Sequence, residues 1–159
     1  MELIESLVIG YGNSLRSDDG IGAYVAKAVE NWNLPKVRSL ANHQLTPELA
    51  AELAQVDLAI FIDACQTNET DTIKLFPLKP SESMVFRSHL SEPQALLSLT
   101  KALFGKCPQA WWVVVPGVNF QLGDSVSPMA KLGIEQALKL IRGLLEENIR
   151  AGLICTKSV

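Results

Sequence analysis

The segment Gly10-Tyr11-Gly12-Asn13-Ser14-Leu15-Arg16-Ser17-Asp18-Asp19-Gly20-Ile21-Gly22 follows the apolar run Leu7-Val8-Ile9 and leads into a pattern of helical period. It therefore reads as a strand-to-helix loop that carries two adjacent carboxylates, Asp18 and Asp19. Open α/β sheets bind ligands in the crevice beyond the carboxyl ends of their strands, so these acids are expected at the edge where such proteins keep their chemistry. The glycines suit the tight bends, because they adopt positive φ without steric cost. A dinucleotide fingerprint fails here: Leu15 takes the third glycine position, and the acidic pair would repel a pyrophosphate. The Gly-Lys-Ser/Thr ending of a phosphate loop is missing as well. A plainer role for either acid is to cap the first helix.

The rest of the chain repeats the alternation of strand-length apolar runs with helical segments, which is the mark of a mostly parallel sheet with helices on both faces. The first helix carries Ile21, Val25, Ala28 and Val29 on one face and ends before Pro35. A short strand near Val37 to Leu40 follows, then Asn42-His43-Gln44-Leu45, then Thr46-Pro47 as an N-cap with proline at the first helical position of a short helix to about Ala54. Val56 to Asp63 is nearly continuous in apolar residues, as expected of a central strand buried on both faces, and Asp63 stands at its carboxyl end. From Asp71 to Arg87, Pro77 and Pro80 break the pattern into edge strand and loop.

Ser91-Glu92-Pro93-Gln94 is expected to form a Ser-x-x-Gln capping box that opens a helix to about Leu103. Trp111 to Val115 reads as another buried strand, ended by Pro116-Gly117. Ser127-Pro128 repeats the cap and proline signal before a last helix striped with Ile134, Ala137, Leu138, Ile141 and Leu145. The expected fold is thus a single three-layer α/β domain over 1–159, a mostly parallel twisted sheet with helices on both faces, with 149–159 as a flexible C-terminal tail.

Composition narrows the partners. The 159 residues are 48% hydrophobic and 19% charged, which excludes a disordered chain and suits one domain with its own core. Seventeen acidic against 14 basic residues give a formal charge of -3, and no Lys/Arg cluster supplies the electrostatic footprint of nucleic-acid binding. No apolar run is long enough to span a membrane, so the expected partner is a small ligand or a protein. Met1-Glu2-Leu3-Ile4-Glu5 lacks the positive charge of a secretory signal, and Cys65, Cys107 and Cys155 are scattered without a Cys-x-x-Cys pair. Both features lead to the expectation of a cytoplasmic protein.

Three groups of metal-ligating type fall where such a sheet would let them converge: Asp19 after the first strand, Asp63 at the end of a central strand, and His89 just before a helix. Two carboxylates and an imidazole suit a divalent transition metal such as nickel or zinc, and three protein ligands leave coordination positions open. Taken singly, Asp63 also fits a strand-ending turn and His89 a surface loop. Cys65 paired with His89 as a thiolate dyad is a further alternative, although a lone cysteine is usually inert packing. Gly-x-Ser-x-Gly and His-Glu-x-x-His motifs are missing, so serine-hydrolase and zincin mechanisms lack their signatures.

The run from Gly10 to Leu15 and on through Asp18-Asp19-Gly20-Ile21-Gly22 resembles the opening signature of the nickel-iron hydrogenase maturation endopeptidases. The resemblance continues through Asp63-Ala64, Ser88-His89, Val115-Pro116, Leu122-Gly123 and Ser127-Pro128, and so covers nearly the whole chain. That family consists of cytoplasmic proteases that trim the C-terminus of the hydrogenase large subunit. By this similarity its metal-contacting acid, acid and histidine fall on Asp19, Asp63 and His89, with Asp19 a variant within the family pattern, at a position that is Glu in some members and Asp in others. Where many members carry an Asp-Gly-Thr type stretch, this chain has Asn42-His43-Gln44, a form similar to the subgroup serving bidirectional, NAD-linked hydrogenases.

The resemblance implies a metal-dependent endopeptidase that removes the C-terminal extension of a large-subunit precursor after nickel insertion. Nickel then belongs to the substrate, and Asp19, Asp63 and His89 serve first as recognition ligands and second as catalytic groups. Other divalent cations are expected to fit the same site, and Asn42, His43 and Gln44 are expected to touch the substrate. Two other classes share these features: a nickel-binding maturation chaperone without hydrolysis, and a nucleoside or phosphate enzyme on a similar fold.

Overall fold

The computed structural model describes residues 4–67, 72–81 and 92–157, with side chains as far as residue 147. Among these residues, five strands form one sheet in the order β2-β1-β3-β5-β4. The strands are β1 (Ser6–Tyr11), β2 (Val37–Asn42), β3 (Leu58–Gln66), β4 (Lys74–Leu78) and β5 (Gln109–Gly117). All neighbours run parallel except β4, which pairs antiparallel with β5 at one edge. Pro77 lies in that edge strand, where a missing N–H costs no ladder bond on the open side.

Among the described residues, four α-helices cover the sheet: α1 (Ile21–Glu30), α2 (Leu49–Leu53), α3 (Pro93–Phe104) and α4 (Pro128–Lys157). The period-2 alternation of the strands sorts their side chains into two cores. Leu7, Ile9, Ala59 and Phe61 join Leu49, Leu53, Leu96 and Leu97 under α2 and α3. Val8, Ile60, Ile62, Val113 and Val115 join Val25, Val29, Ala137 and Ile141 under α1 and α4. Burial of this kind stabilises by roughly 25 cal/mol for each Å² of apolar surface removed from water, and it fixes register because a one-residue slip would turn each strand inside out. The expected three layers are present: a mostly parallel α/β sheet with helices on both faces.

Three local expectations change. The Thr46-Pro47 start is looser than expected: the Leu49 and Ala50 amides bond the Thr46 and Pro47 carbonyls, and regular α-helix begins only at Leu49. Ser91, the expected cap of the box, lies outside the described residues, and the described helix takes a different N-cap. Proline favours the first helical position and keeps its predecessor extended, so Glu92, at φ -96° and ψ 139°, becomes the N-cap. Gln94 then stands one position too early for a box, and its side-chain amide donates to the Lys79 carbonyl instead, at 3.1 Å. Finally, α4 continues through Lys157, so the backbone of 149–157, expected as a tail, is helical. Ser127 behaves as expected, its Oγ accepting the Ala130 amide at 3.1 Å. Among the described residues, no helix is long and apolar enough to cross a membrane.

Candidate active site at the carboxyl edge of the sheet

From β1 the chain passes through α1 to β2 on one side, and then through α2 to β3 on the other. The order therefore reverses between β1 and β3, and the ends of these strands bound the crevice in which open α/β sheets bind ligands. Close packing of α1 on the two strands sharpens this edge. A Cβ at Gly22 would stand 2.6 Å from the Tyr11 carbonyl oxygen and 2.8 Å from that of Ile62, so only glycine admits the helix here. Gly12 has φ +137°, a backbone that other residues resist, and a Cβ there would meet the Asp19 carbonyl oxygen at 2.2 Å.

A single 3-10 turn, Ser17–Gly20, precedes α1 and sends its two carboxylates in different directions. Neither caps α1, whose N-cap is Gly20. Asp19 is half-buried, and its Oδ2 accepts the Asn13 amide at 2.7 Å. Asp18 is fully buried, with 0% exposure. Its Oδ1 accepts the Ser127 amide at 2.7 Å, and its Oδ2 accepts the Val118 amide at 2.8 Å, the Asn119 amide at 3.1 Å and the Ser127 hydroxyl at 2.8 Å. Burial opposes the charge of Asp18, but these donors outweigh it and hold the carboxyl below its ordinary range.

Asp63 extends from β3 beside Asp19, near enough for the two charges to interact. Burial chiefly, and the Asp19 charge in addition, push its carboxyl up to about 6, against the opposing Ala64 amide, which donates to Oδ1 at 2.8 Å, and the Tyr11 hydroxyl. Tyr11 stands on the neighbouring strand, since the register pairs Gly10 with Ile62. Burial and the Asp63 charge push the Tyr11 phenol far above its ordinary value, so it remains a neutral donor. The Trp112 indole N–H lies in the same region, buried and outside hydrogen-bonding geometry with any described group.

Two of the three proposed ligands, Asp19 and Asp63, thus come together across the β1/β3 reversal. His89 lies outside the described residues, and among those residues no cluster of three His, Cys, Asp or Glu side chains is placed to hold a metal. Asn42 ends β2 beside Tyr11, and the Asn42 and His43 carbonyls both receive the Gly12 amide, at 3.1 and 3.2 Å. His43 and Gln44 are exposed at that same edge. Cys65 is exposed farther along β3, and its thiol donates to the Gln66 carbonyl.

Asp18 is the residue whose role the sequence concealed, because its partners come from about a hundred positions away, at Val118, Asn119 and Ser127. The same loops are laced elsewhere. The Ser17 amide donates to the Gly123 carbonyl at 2.9 Å and the Gly123 amide to the Leu15 carbonyl at 2.8 Å, while Arg16 and Gly123 form a parallel bridge. Leu15 and Leu122, each one residue before that bridge, are 65% and 87% exposed.

No protein-family model matches the chain, and no curated protein matches it. Solved structures do. The hydrogenase maturating endopeptidase HybD from E. coli superposes with a TM-score of 0.74 at 23% identity, over 91% of this chain and 93% of that one. An endopeptidase from Escherichia coli gives 0.70 at 25% identity, over 91% and 93%. The [NiFe] hydrogenase maturation protease HycI from Thermococcus kodakarensis gives 0.69 at 24% identity, over 90% and 93%. The α/β fold described above is the fold of these proteases, matched over nearly the full length of each chain.

Proposed function

We propose that the protein is an endopeptidase of hydrogenase maturation, which removes the C-terminal extension from a nickel-iron hydrogenase large-subunit precursor once nickel is in place. The observation that carries this reading is the pair of interacting carboxylates, Asp19 and Asp63, at the strand-order reversal. Two like charges near each other cost energy that a cation relieves, so the crevice favours a metal and disfavours the phosphate of a nucleotide. His89 would add an imidazole, giving the mixed ligand set that suits nickel or another divalent cation. The likeness in fold to hydrogenase maturation proteases and the sequence signature around Asp18-Asp19 support the same reading.

Nickel is here part of the substrate, and a precursor without it would offer nothing for the carboxylates to grip. A metal held beside the scissile bond polarises its carbonyl or activates water. Asp63 would keep its orientation through the Ala64 amide and the Tyr11 hydroxyl. Asn42, His43 and Gln44 would meet the precursor from the β2 side, neutral where an Asp-Gly-Thr type stretch adds a negative charge, which fits a bidirectional, NAD-linked hydrogenase as the client. The reaction would take place in the cytoplasm.

Incubating the purified protein with nickel-loaded and nickel-free precursor, and weighing the large subunit by mass spectrometry, tests the reading. Loss of a C-terminal peptide from the nickel-loaded form alone is expected. An intact mass in both would reject hydrolysis, and tight binding of the loaded form without cleavage would make the protein a maturation chaperone. Cys65→Ser should process normally, whereas an inactive but folded variant would move the chemistry to a thiolate.

A further inference from the structure

We propose that Asp18 is a positioning residue for Asp19: it fastens the turn after β1 to the start of α4, and so fixes where the Asp19 carboxylate stands relative to Asp63. The inference rests on the reading above for what Asp19 does, but its geometry is independent of it. Asp18 cannot touch a substrate, being fully buried. Its two oxygens collect four donors from the segment between β5 and α4, and its own amide donates to the Asn119 carbonyl at 2.8 Å. Hydrogen bonds to an ionised acceptor are roughly twice as strong as neutral ones.

One of those donors, the Ser127 hydroxyl, also receives the Ala130 amide at the first turn of α4. The carboxylate is thereby tied to a long helix packed against the sheet, a stiffer support than loop against loop. Space is tight as well, since a Cβ at Gly117 would lie 2.9 Å from the Asp18 Cβ.

A second observation shows that the turn is held in place. Ser17, immediately before Asp18, has φ +53°, a left-handed conformation that a side chain resists. Such a backbone persists only where its surroundings over-determine it. Here they do: the Ser17 amide bonds the Gly123 carbonyl, and its Oγ donates to the Gln121 carbonyl at 2.8 Å. Asp19, by contrast, is steadied by the local Asn13 amide on its carboxylate and by its own amide on the Arg16 carbonyl. Both partners belong to the same loop, so they fix the shape of the loop, while its placement rests on the Asp18 clamp together with the Ser17 and Leu15 bonds to the same 118–127 segment.

The Asn13 amide, 2.7 Å from Asp19 Oδ2, is a built-in reporter of that carboxylate. Asp18→Asn replaces one acceptor oxygen by a donor that faces other donors. In the folded variant, well below its melting temperature, the Asn13 amide proton should exchange about tenfold faster, as local opening becomes easier. The kcat for nickel-loaded precursor should fall at least ~10-fold while KM stays within about twofold, because reacting groups are misplaced without loss of substrate contact. Ser127→Ala, which keeps the backbone donor, should move both readouts the same way but less, and Ser127→Thr should restore them. An Asp18→Asn protein that is destabilised yet leaves Asn13 exchange and kcat unchanged would overturn the proposal and leave Asp18 a stability residue only. If Asp18→Asn does not fold, the same absence of change in Ser127→Ala overturns it. Faster Asn13 exchange in the variants, beside a wild type that releases no peptide, would uphold the positioning and reject the protease.

Discussion

The clamp between the first and last loops and the crevice end of β3 each hold a carboxylate against the protein interior, and they treat it in opposite ways. Asp18 meets four donors and is held below the ordinary carboxylate range. Asp63 meets the Ala64 amide and the Tyr11 hydroxyl, faces the Asp19 charge, and is pushed up to about 6. Burial acts on both; what differs is the supply of donors. The first arrangement stabilises the fold, whereas the second leaves a negative charge short of partners, which is what a cation-binding edge requires. On the proposed reading, that shortage of donors serves the site at the expense of stability.

The largest expected effect separates the two regions outright. Asp63→Asn should reduce precursor processing by at least ~100-fold, the upper range for losing a group that merely supports a metal contact. The same change should stabilise the protein at neutral pH. The rise from 3.8 to about 6 corresponds to ~3 kcal/mol, and solvent screening at a half-buried group reduces this to about 2 kcal/mol. Asn keeps an oxygen for the Ala64 amide, so the gain should survive as a higher Tm. A lower Tm in thermal unfolding would mean that Asp63 is a structural residue, and the contrast with Asp18 would collapse.

Asp18→Ala should act in the other direction. It strands buried backbone donors at Val118, Asn119 and Ser127, at a cost of ~3 kcal/mol. For a chain of this length that lowers Tm by roughly 6–12 °C. Denaturant unfolding that shows less than ~1 kcal/mol would mean that water or a rearranged loop replaces the carboxylate.

Stability against pH should show both groups. Asp63 has a folded value above its unfolded one, so stability falls as pH rises from ~4, where only the unfolded chain ionises, to about 6, and is level above. Asp18 has a depressed folded value, so its contribution is complete above ~4 and is lost as pH falls through the folded value. Asp63→Asn should therefore remove about 2 kcal/mol of the decline between pH 4 and 6 and leave the acid limb, whereas Asp18→Asn should flatten the acid limb. An unaltered profile in Asp63→Asn would show that the carboxyl titrates normally.

What the sequence revealed divides along the same line. β1, β3 and β5 were legible because strands buried on both faces read as apolar runs, and Asp19 and Asp63 because acids just beyond such runs fall at the carboxyl edge. Ser127-Pro128 was legible because a cap and its helix are neighbours in the chain. Asp18 was not, because a side chain satisfied by residues a hundred positions away leaves no local pattern, and at the head of a helix it reads as a cap. The start of α3 was misread for a smaller reason of the same sort: Pro93 fixes the cap at Glu92, and Gln94 finds a partner at Lys79, outside its own helix.

The smallest expected effect concerns the edge of β2, which the clamp does not reach. Asn42, His43 and Gln44 lie beside the Gly12 turn, bonded to it through the Asn42 and His43 carbonyls, while the His43 and Gln44 side chains are exposed. Exchanging the three for Asp-Gly-Thr keeps those backbone acceptors but adds a charge beside Asp19 and removes neutral donors. Stability should change by less than ~0.5 kcal/mol, as for other surface substitutions. Processing of a bidirectional-type precursor should fall by about threefold to tenfold, mainly through KM, since a contact made equally in the ground and transition states is lost. A precursor of another hydrogenase class should lose less, or gain, because specificity is a difference between two affinities. Equal changes for both precursors would assign the effect to the added charge acting on Asp19 and Asp63, and would place client selection elsewhere on the edge.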